Sequence, residues 1–119
     1  MSTRTNIIIK KTINGEEKLC QLYRHNDGYP EGAGQELLDF LSKEENCKYD
    51  NPMDMGQAIV EQDAADVVEG EEENLHGDIE YFYEIDMDER TIVCTAMNPW
   101  NNKGKYGVFH NNWGDTYFE

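Results

Sequence analysis

Carboxylates are the side chains present in sufficient number to act together. The 119-residue chain has 25 Asp and Glu against 10 Lys and Arg, a formal net charge of −15. The excess is concentrated, because residues 61–90 hold thirteen acidic side chains and one basic side chain. Such a field repels nucleic acids and anionic membranes and attracts basic proteins. Acidic groups on a rigid scaffold can also imitate the phosphates of a nucleic acid.

We therefore predict an acidic surface within residues 50–89 that meets Lys and Arg side chains in a basic groove of a partner protein. It combines the charged sides of a predicted helix, a run of three Glu and the outward edge of a predicted strand. The predicted contact residues are Glu61, Asp63, Asp66, Glu69, Glu71, Glu72, Glu73, Glu80 and Glu84. A second interpretation is that these acids only keep a small protein soluble. The sequence leaves both interpretations open.

A second group with chemical potential lies in the Gly- and Pro-rich segment 24–34, whose composition predicts a loop. Here Arg24 and His25 stand next to Asp27, and Tyr29 follows. A His beside a carboxylate can act as a general base, and the two cationic groups can bind a small ligand or a nucleotide. No Ser or Cys nucleophile adjoins them in sequence. The other interpretation is an ordered turn in which Asp27 bonds its own backbone.

No metal or cofactor motif is visible by spacing. We therefore expect the chain to bind no metal and no cofactor, to contain no catalytic residue and not to be an enzyme. The three His and three Cys are widely separated, unlike zinc ligands. The acids of 84–89 fail the calcium-loop pattern, because Thr91 stands where that loop needs Gly. Cys20 and Cys94 lie in strand-like runs and are predicted to be buried. An odd number of cysteines and no visible signal peptide indicate a reducing cytoplasm.

The N-terminal half is predicted from hydrophobic periodicity and turn residues. Residues 5–11 and 17–23 predict two strands joined by an Asn14-Gly15 hairpin turn. A helix is predicted over residues 34–43. A second helix begins with Asn51 as N-cap and Pro52 as its first residue. Its apolar contacts are predicted to continue as far as Gly70.

The C-terminal half reads as strands. Over residues 79–87, Ile79, Tyr81, Tyr83, Ile85 and Met87 alternate with acids, which predicts a half-buried strand. Further strands are predicted over 91–97 and around 106–110, with a loop over 98–102. The predicted fold is one α+β domain over residues 1–119, an antiparallel sheet of four to five strands with two helices packed on one face. Its order is ββααββ(β).

The N-terminal third also carries a distinctive block. It opens Ser-Thr-Arg-Thr-Asn-Ile-Ile-Ile over residues 2–9 and continues Leu-Tyr-Arg-His-Asn-Asp-Gly-Tyr-Pro over 22–30. Over roughly its first 45 residues the chain resembles small proteins of bacteriophages and prophages, a family from which no activity can be transferred. The resemblance implies a phage accessory protein acting in the cytoplasm of an infected bacterial host. Small acidic phage proteins include anti-CRISPR and anti-restriction inhibitors, so by this analogy we expect an inhibitor of a defence nuclease or another nucleic-acid enzyme.

Two other functions remain open. One is binding of a small ligand or nucleotide by the Arg24–Pro30 loop. The other is a structural phage component that self-assembles through a sheet edge, and a homodimer is left open. We expect no direct binding of nucleic acid and no membrane contact, since the longest apolar run is Ile7–Ile9. Trp100 and Trp113 are predicted to cap a thin core, with an interface role as the alternative.

Overall fold

In the part of the chain that the structure describes, six strands form one mixed sheet with the helices on one face. The structure is a computed structural model that describes residues 3–97 and 108–119. The order across the sheet is β3-β2-β1-β4-β5-β6, and every neighbouring pair is antiparallel except β1 and β4. The strands are β1 (Thr5–Ile13), β2 (Glu16–Arg24), β3 (Val67–Gly70), β4 (Tyr81–Asp86), β5 (Thr91–Ala96) and β6 (Val108–Asn112). The α-helices are α1 (Gln35–Leu41) and α2 (Pro52–Glu61), with a π-helical turn at Pro30–Gly34 and a 3-10 helix at Glu44–Lys48.

The predicted antiparallel sheet of four to five strands is wrong in two respects. The chain adds a short edge strand, β3, beside β2. It then runs through residues 71–80 to the far side of β1, so that β4 lies parallel to β1 with Ile7 opposite Tyr83. We call residues 71–80 the crossing segment. A parallel pair requires such a crossover, and the sequence pattern alone did not reveal it.

The second helix is also shorter than predicted. It ends at Glu61 rather than reaching Gly70, and Asp63 adopts a left-handed backbone with φ of 62°. Val67 and Val68, which extend the apolar pattern of the helix, pair instead with β2. These two residues continue the apolar pattern of the helix, but β-branched side chains favour strands over helices, and the pair forms the edge strand.

Local turn and capping signals are confirmed. Asn14 and Gly15 both have positive φ, 53° and 81°, as a tight hairpin turn requires. The side chain of Asn51 accepts a hydrogen bond from the backbone N–H of Asp54 at 2.9 Å and caps α2. The short strand predicted around 106–110 is found as β6, which reaches Asn112, and residues 106 and 107 lie outside the described residues. Residues 98–102, with Trp100, lie outside the described residues.

The main core lies between one sheet face and the helices. Tyr83 is fully buried there, and so are Cys20 and Cys94, as predicted. Trp113 belongs to the same core. On the opposite face, a smaller cluster joins Leu75 and Ile79 of the crossing segment to Ile8, Leu19 and Phe82 of the sheet. The prediction that Ile79 points to the same side as Tyr83 is wrong, because Ile79 precedes β4 and belongs to the smaller cluster, whereas Tyr83 belongs to the main core.

Candidate functional site

The crossing segment is fastened to the sheet by two buried amides. The side chain of Gln21 donates to the carbonyl oxygen of Asn74 at 2.8 Å and accepts from its N–H at 2.7 Å. Its amide thus substitutes for a neighbouring strand. The side-chain oxygen of Asn6 accepts the N–H of His76 at 2.9 Å. Both amides are almost fully buried, so these bonds hold the segment in one position.

Glu69 joins β3 to the same network. Its carboxylate accepts hydrogen bonds from Asn6 at 3.0 Å and Gln21 at 2.8 Å, and it pairs with Nε2 of His76 at 2.6 Å. Tyr23 stacks on His76 with ring centroids 4.5 Å apart. These side chains connect β1, β2, β3 and the crossing segment.

The hydroxyl of Tyr23 also bonds Nδ1 of His25 at 2.9 Å. Two of the three His therefore meet around one Tyr, a grouping that sequence spacing did not indicate. Residues 25 and 76 are brought together only by the tertiary fold, so no local signal could have revealed it. Within the described residues, no three His, Cys, Asp or Glu side chains converge as metal ligands would.

The nine predicted acids fall into groups with different surroundings. Three bond to other groups of the chain: Glu69 as above, Asp66 as acceptor for the N–H of His25 at 2.8 Å, and Glu84 in an ion pair with Lys10 at 2.9 Å. Glu80 is half-buried, and its backbone N–H donates to Arg4. Five are exposed and make no side-chain hydrogen bond or ion pair with the described part of the chain: Glu61, Asp63, Glu71, Glu72 and Glu73.

These five residues, which we call the acidic edge, flank the outermost strand. Glu61 and Asp63 stand at the end of α2 just before β3, and Glu71–Glu73 follow β3 directly. Glu80 directly precedes β4 and Glu84 lies within it. Both are apart from the acidic edge, because β2 and β1 separate β3 from β4. The structure therefore divides the predicted surface into an edge portion and a separate portion on the central strand.

The charge of the acidic edge has little compensation. Among the described residues, ion pairs join cations to acids outside this edge: Arg4–Asp78, Lys10–Glu84, Lys11–Asp88, Lys18–Glu16 and Arg24–Glu36. The sequence has no Lys or Arg between Lys48 and Arg90. The field reaches the sheet, since the pKa of Lys10 is raised, first by its hydrogen bond to Glu84 and further by the charges of Glu17 and Glu73.

The Arg24–Pro30 loop is built around a buried guanidinium. Arg24 is 7% exposed, and its Nε donates to the carbonyl oxygen of Asn26 at 2.7 Å. Its Nη1 donates to the carbonyl oxygen of Ala64 at 3.0 Å, and its Nη2 pairs with Glu36 at 2.9 Å. These contacts tie the loop to α1 and to the residues after α2. The geometry thus favours a structural role for Arg24 over contact with an external ligand.

The rest of the loop is similarly occupied. The exposed hydroxyl of Tyr29 donates to Asp27 at 3.2 Å, and the charge of Asp27 is the first cause of a raised pKa of Tyr29. The carbonyl oxygen of Gly28 accepts the hydroxyl of Tyr83 at 2.7 Å. A Cβ on Gly28 would lie 2.7 Å from the carbonyl oxygen of Thr3. Close packing explains why this block contains glycine.

Comparison with protein-family models, with curated proteins and with solved structures finds no match for the chain. The similarity of the N-terminal block to phage proteins therefore stays a prediction. No helix among residues 3–97 and 108–119 has the length and apolar character needed to cross a membrane.

Proposed function

We propose that this chain is a phage-type accessory protein that binds and inhibits a bacterial nucleic-acid-handling defence protein of the CRISPR-effector or restriction type. It acts inside the infected bacterium and does not itself bind nucleic acid. The observation that carries the proposal is the acidic edge, five exposed carboxylates beside β3 that pair with no cation of the described chain. A basic groove evolved for phosphates would attract such a surface.

Rigidity of the support strengthens this proposal. The crossing segment that carries Glu71–Glu73 is held by the buried side chains of Asn6 and Gln21. A partner therefore spends little free energy on ordering it, and a preorganised surface gains affinity on that account. Flexible acidic tails solubilise a protein equally well and need no such anchoring.

Affinity capture with matched charge variants tests the proposal. The edge-neutral variant carries Glu61→Gln, Asp63→Asn, Glu71→Gln, Glu72→Gln and Glu73→Gln. The control variant removes the same number of charges at other exposed positions: Glu31→Gln, Glu44→Gln, Glu45→Gln, Glu89→Gln and Glu119→Gln. Each tagged protein is incubated with lysate of a phage-susceptible bacterium at low and moderate salt, and captured proteins are identified by mass spectrometry.

We expect the wild type and the control variant to retain the same nuclease or other nucleic-acid enzyme. The edge-neutral variant should lose it, and moderate salt should reduce its retention. Purified enzyme should then lose cleavage activity when the wild-type chain is added. Equal capture by the edge-neutral variant, or no inhibition of the captured enzyme, would overturn the proposal.

A further inference from the structure

A groove of about 500 Å³ lies where the β1–β2 hairpin, the start of α2 and the crossing segment meet. Its apolar lining comes from Ile13, Leu19, Pro52 and Met53. Pro52 is buried, and the other three are half-buried, so the groove has a partly exposed apolar floor. Such a floor can shield the aliphatic part of a long side chain from water.

Acidic side chains also line this groove. Glu17, Glu71 and Glu72 belong to its lining, and all three are exposed. Lys18 is the one cation among the lining residues that the structure describes, and its ammonium is paired with Glu16 at 3.1 Å. The groove therefore presents an apolar floor beside three carboxylates that Lys18 does not pair with.

The negative charges of this groove also act on two neighbouring groups, the buried Cys20 and the half-buried Lys10. The pKa of the Cys20 thiol is raised to about 11, mainly by burial and further by the charge of Glu71. The pKa of Lys10 is raised first by its hydrogen bond to Glu84, and the charge of Glu17 contributes further. A cation placed in the groove would lower the electrostatic cost of these neighbouring carboxylates.

We propose that this groove binds a lysine side chain of a partner protein, with the methylene groups over the apolar floor and the ammonium among Glu17, Glu71 and Glu72. The proposal rests on the proposed function, since it specifies how a basic partner is recognised. Charge complementarity selects a cationic side chain, and the apolar floor selects one with a long stem. A surface made only of carboxylates would not distinguish a long cationic side chain from a short one.

Two octapeptides of equal charge separate the two contributions. Labelled octalysine is the probe, and its counterpart is an octapeptide of 2,4-diaminobutyric acid, whose side chains have two methylenes fewer. Binding to the full chain, without any host protein, is measured by fluorescence anisotropy. The measurement is made at pH 6.5, where the amines of both peptides are protonated. We expect octalysine to bind about ten-fold more tightly, because it buries more methylene surface. Equal affinities would overturn the proposal.

Variants of the chain locate the binding. Glu71→Gln with Glu72→Gln should weaken octalysine binding about ten-fold, whereas Glu44→Gln with Glu45→Gln should change it less than about two-fold. Met53→Ser leaves the charge of the groove unchanged and should reduce its preference for octalysine over the shorter peptide. Lys18→Gln should strengthen binding, because it removes the cation that lines the groove. Unfolding curves confirm that each variant is folded.

Other outcomes would count against the groove specifically. Equal weakening by the two double variants, or an unchanged preference for octalysine in Met53→Ser, would place the peptide elsewhere. These results concern peptide binding alone and leave the capture of a host enzyme by the acidic edge standing. Conversely, the chain could capture no enzyme and still prefer octalysine. That result would overturn the proposed function and leave the groove as a lysine-binding site.

Discussion

The guanidinium of Arg24 donates a hydrogen bond to the carbonyl oxygen of Ala64, 40 residues further along the chain, at 3.0 Å. The same group bonds the carbonyl oxygen of Asn26 and the carboxylate of Glu36. One buried cation thus joins the end of β2, helix α1 and the turn that follows α2. This arrangement gives Arg24 a function inside the fold.

Removal of this cation should therefore destabilise the fold. We expect Arg24→Met to lower the free energy of unfolding by about 1–3 kcal/mol, because it leaves the carbonyl oxygen of buried Ala64 without its donor. Urea unfolding followed by circular dichroism measures the change. Lys43→Met, at an exposed position, is the control and should change stability by less than about 0.5 kcal/mol. Equal stabilities of the two variants would refute the structural role of Arg24.

A methyl group on Gly28 should be poorly tolerated. Its Cβ would lie 2.7 Å from the carbonyl oxygen of Thr3 and 2.9 Å from Cβ of Thr5, so the backbone would have to move. We expect Gly28→Ala to cost about 1–3 kcal/mol of stability, as overpacking does. The matched control is Gly77→Ala, since a Cβ there meets nothing within 4 Å. The account of the loop fails if the two substitutions have the same effect on the urea midpoint.

The three cysteines should differ in reactivity. Cys20 and Cys94 are fully buried, and burial raises their pKa to about 11 and about 12, whereas Cys47 is half-buried. Iodoacetamide at pH 8 should therefore modify Cys47 first, with the other two reacting only after unfolding. Peptide mass spectrometry identifies the modified thiols. Early modification of Cys20 in the native protein would contradict the described core.

The same burial predicts a loss of stability at alkaline pH. A thiol whose pKa is raised in the folded state keeps its proton, while the same thiol in the unfolded chain releases it. Above the unfolded pKa, deprotonation therefore lowers the free energy of the unfolded state relative to the folded state. Stability should fall as pH rises from about 9 towards 11, by up to about 1.4 kcal/mol per pH unit for each buried thiol.

Cys94→Ala removes one of these groups and provides the test. Its own cost in packing lowers stability at every pH, but the slope of stability against pH between 9 and 11 should become shallower. Urea unfolding at several pH values measures that slope. An unchanged slope would show that Cys94 does not contribute to the alkaline loss.

Local signals in the sequence were sufficient for some elements. The Asn14-Gly15 turn and the Asn51 cap depend on a few adjacent residues, and both are confirmed. The burial of Cys20 and Cys94 followed from their place in apolar strands. Such features can be predicted because the residues that determine them are neighbours in sequence.

Other features depend on contacts between distant residues. Val67 and Val68 continue the apolar pattern of α2, and their place in an edge strand is fixed by pairing with the distant strand β2. The parallel position of β4 depends on the crossing segment, which is held through Gln21 and Asn74, 53 residues apart. The predicted acids are divided by the same topology, because strands β2 and β1 lie between β3 and β4.

Competition by duplex DNA tests most directly whether the acidic edge occupies the nucleic-acid groove of its partner. The enzyme captured on the immobilised chain is washed with increasing concentrations of a short duplex, and inorganic phosphate at equal phosphate concentration is the control. We predict that the duplex releases the enzyme and that phosphate leaves it bound. An enzyme that stays on the immobilised chain while also holding the duplex would contradict the account, because both ligands would then be bound at different places.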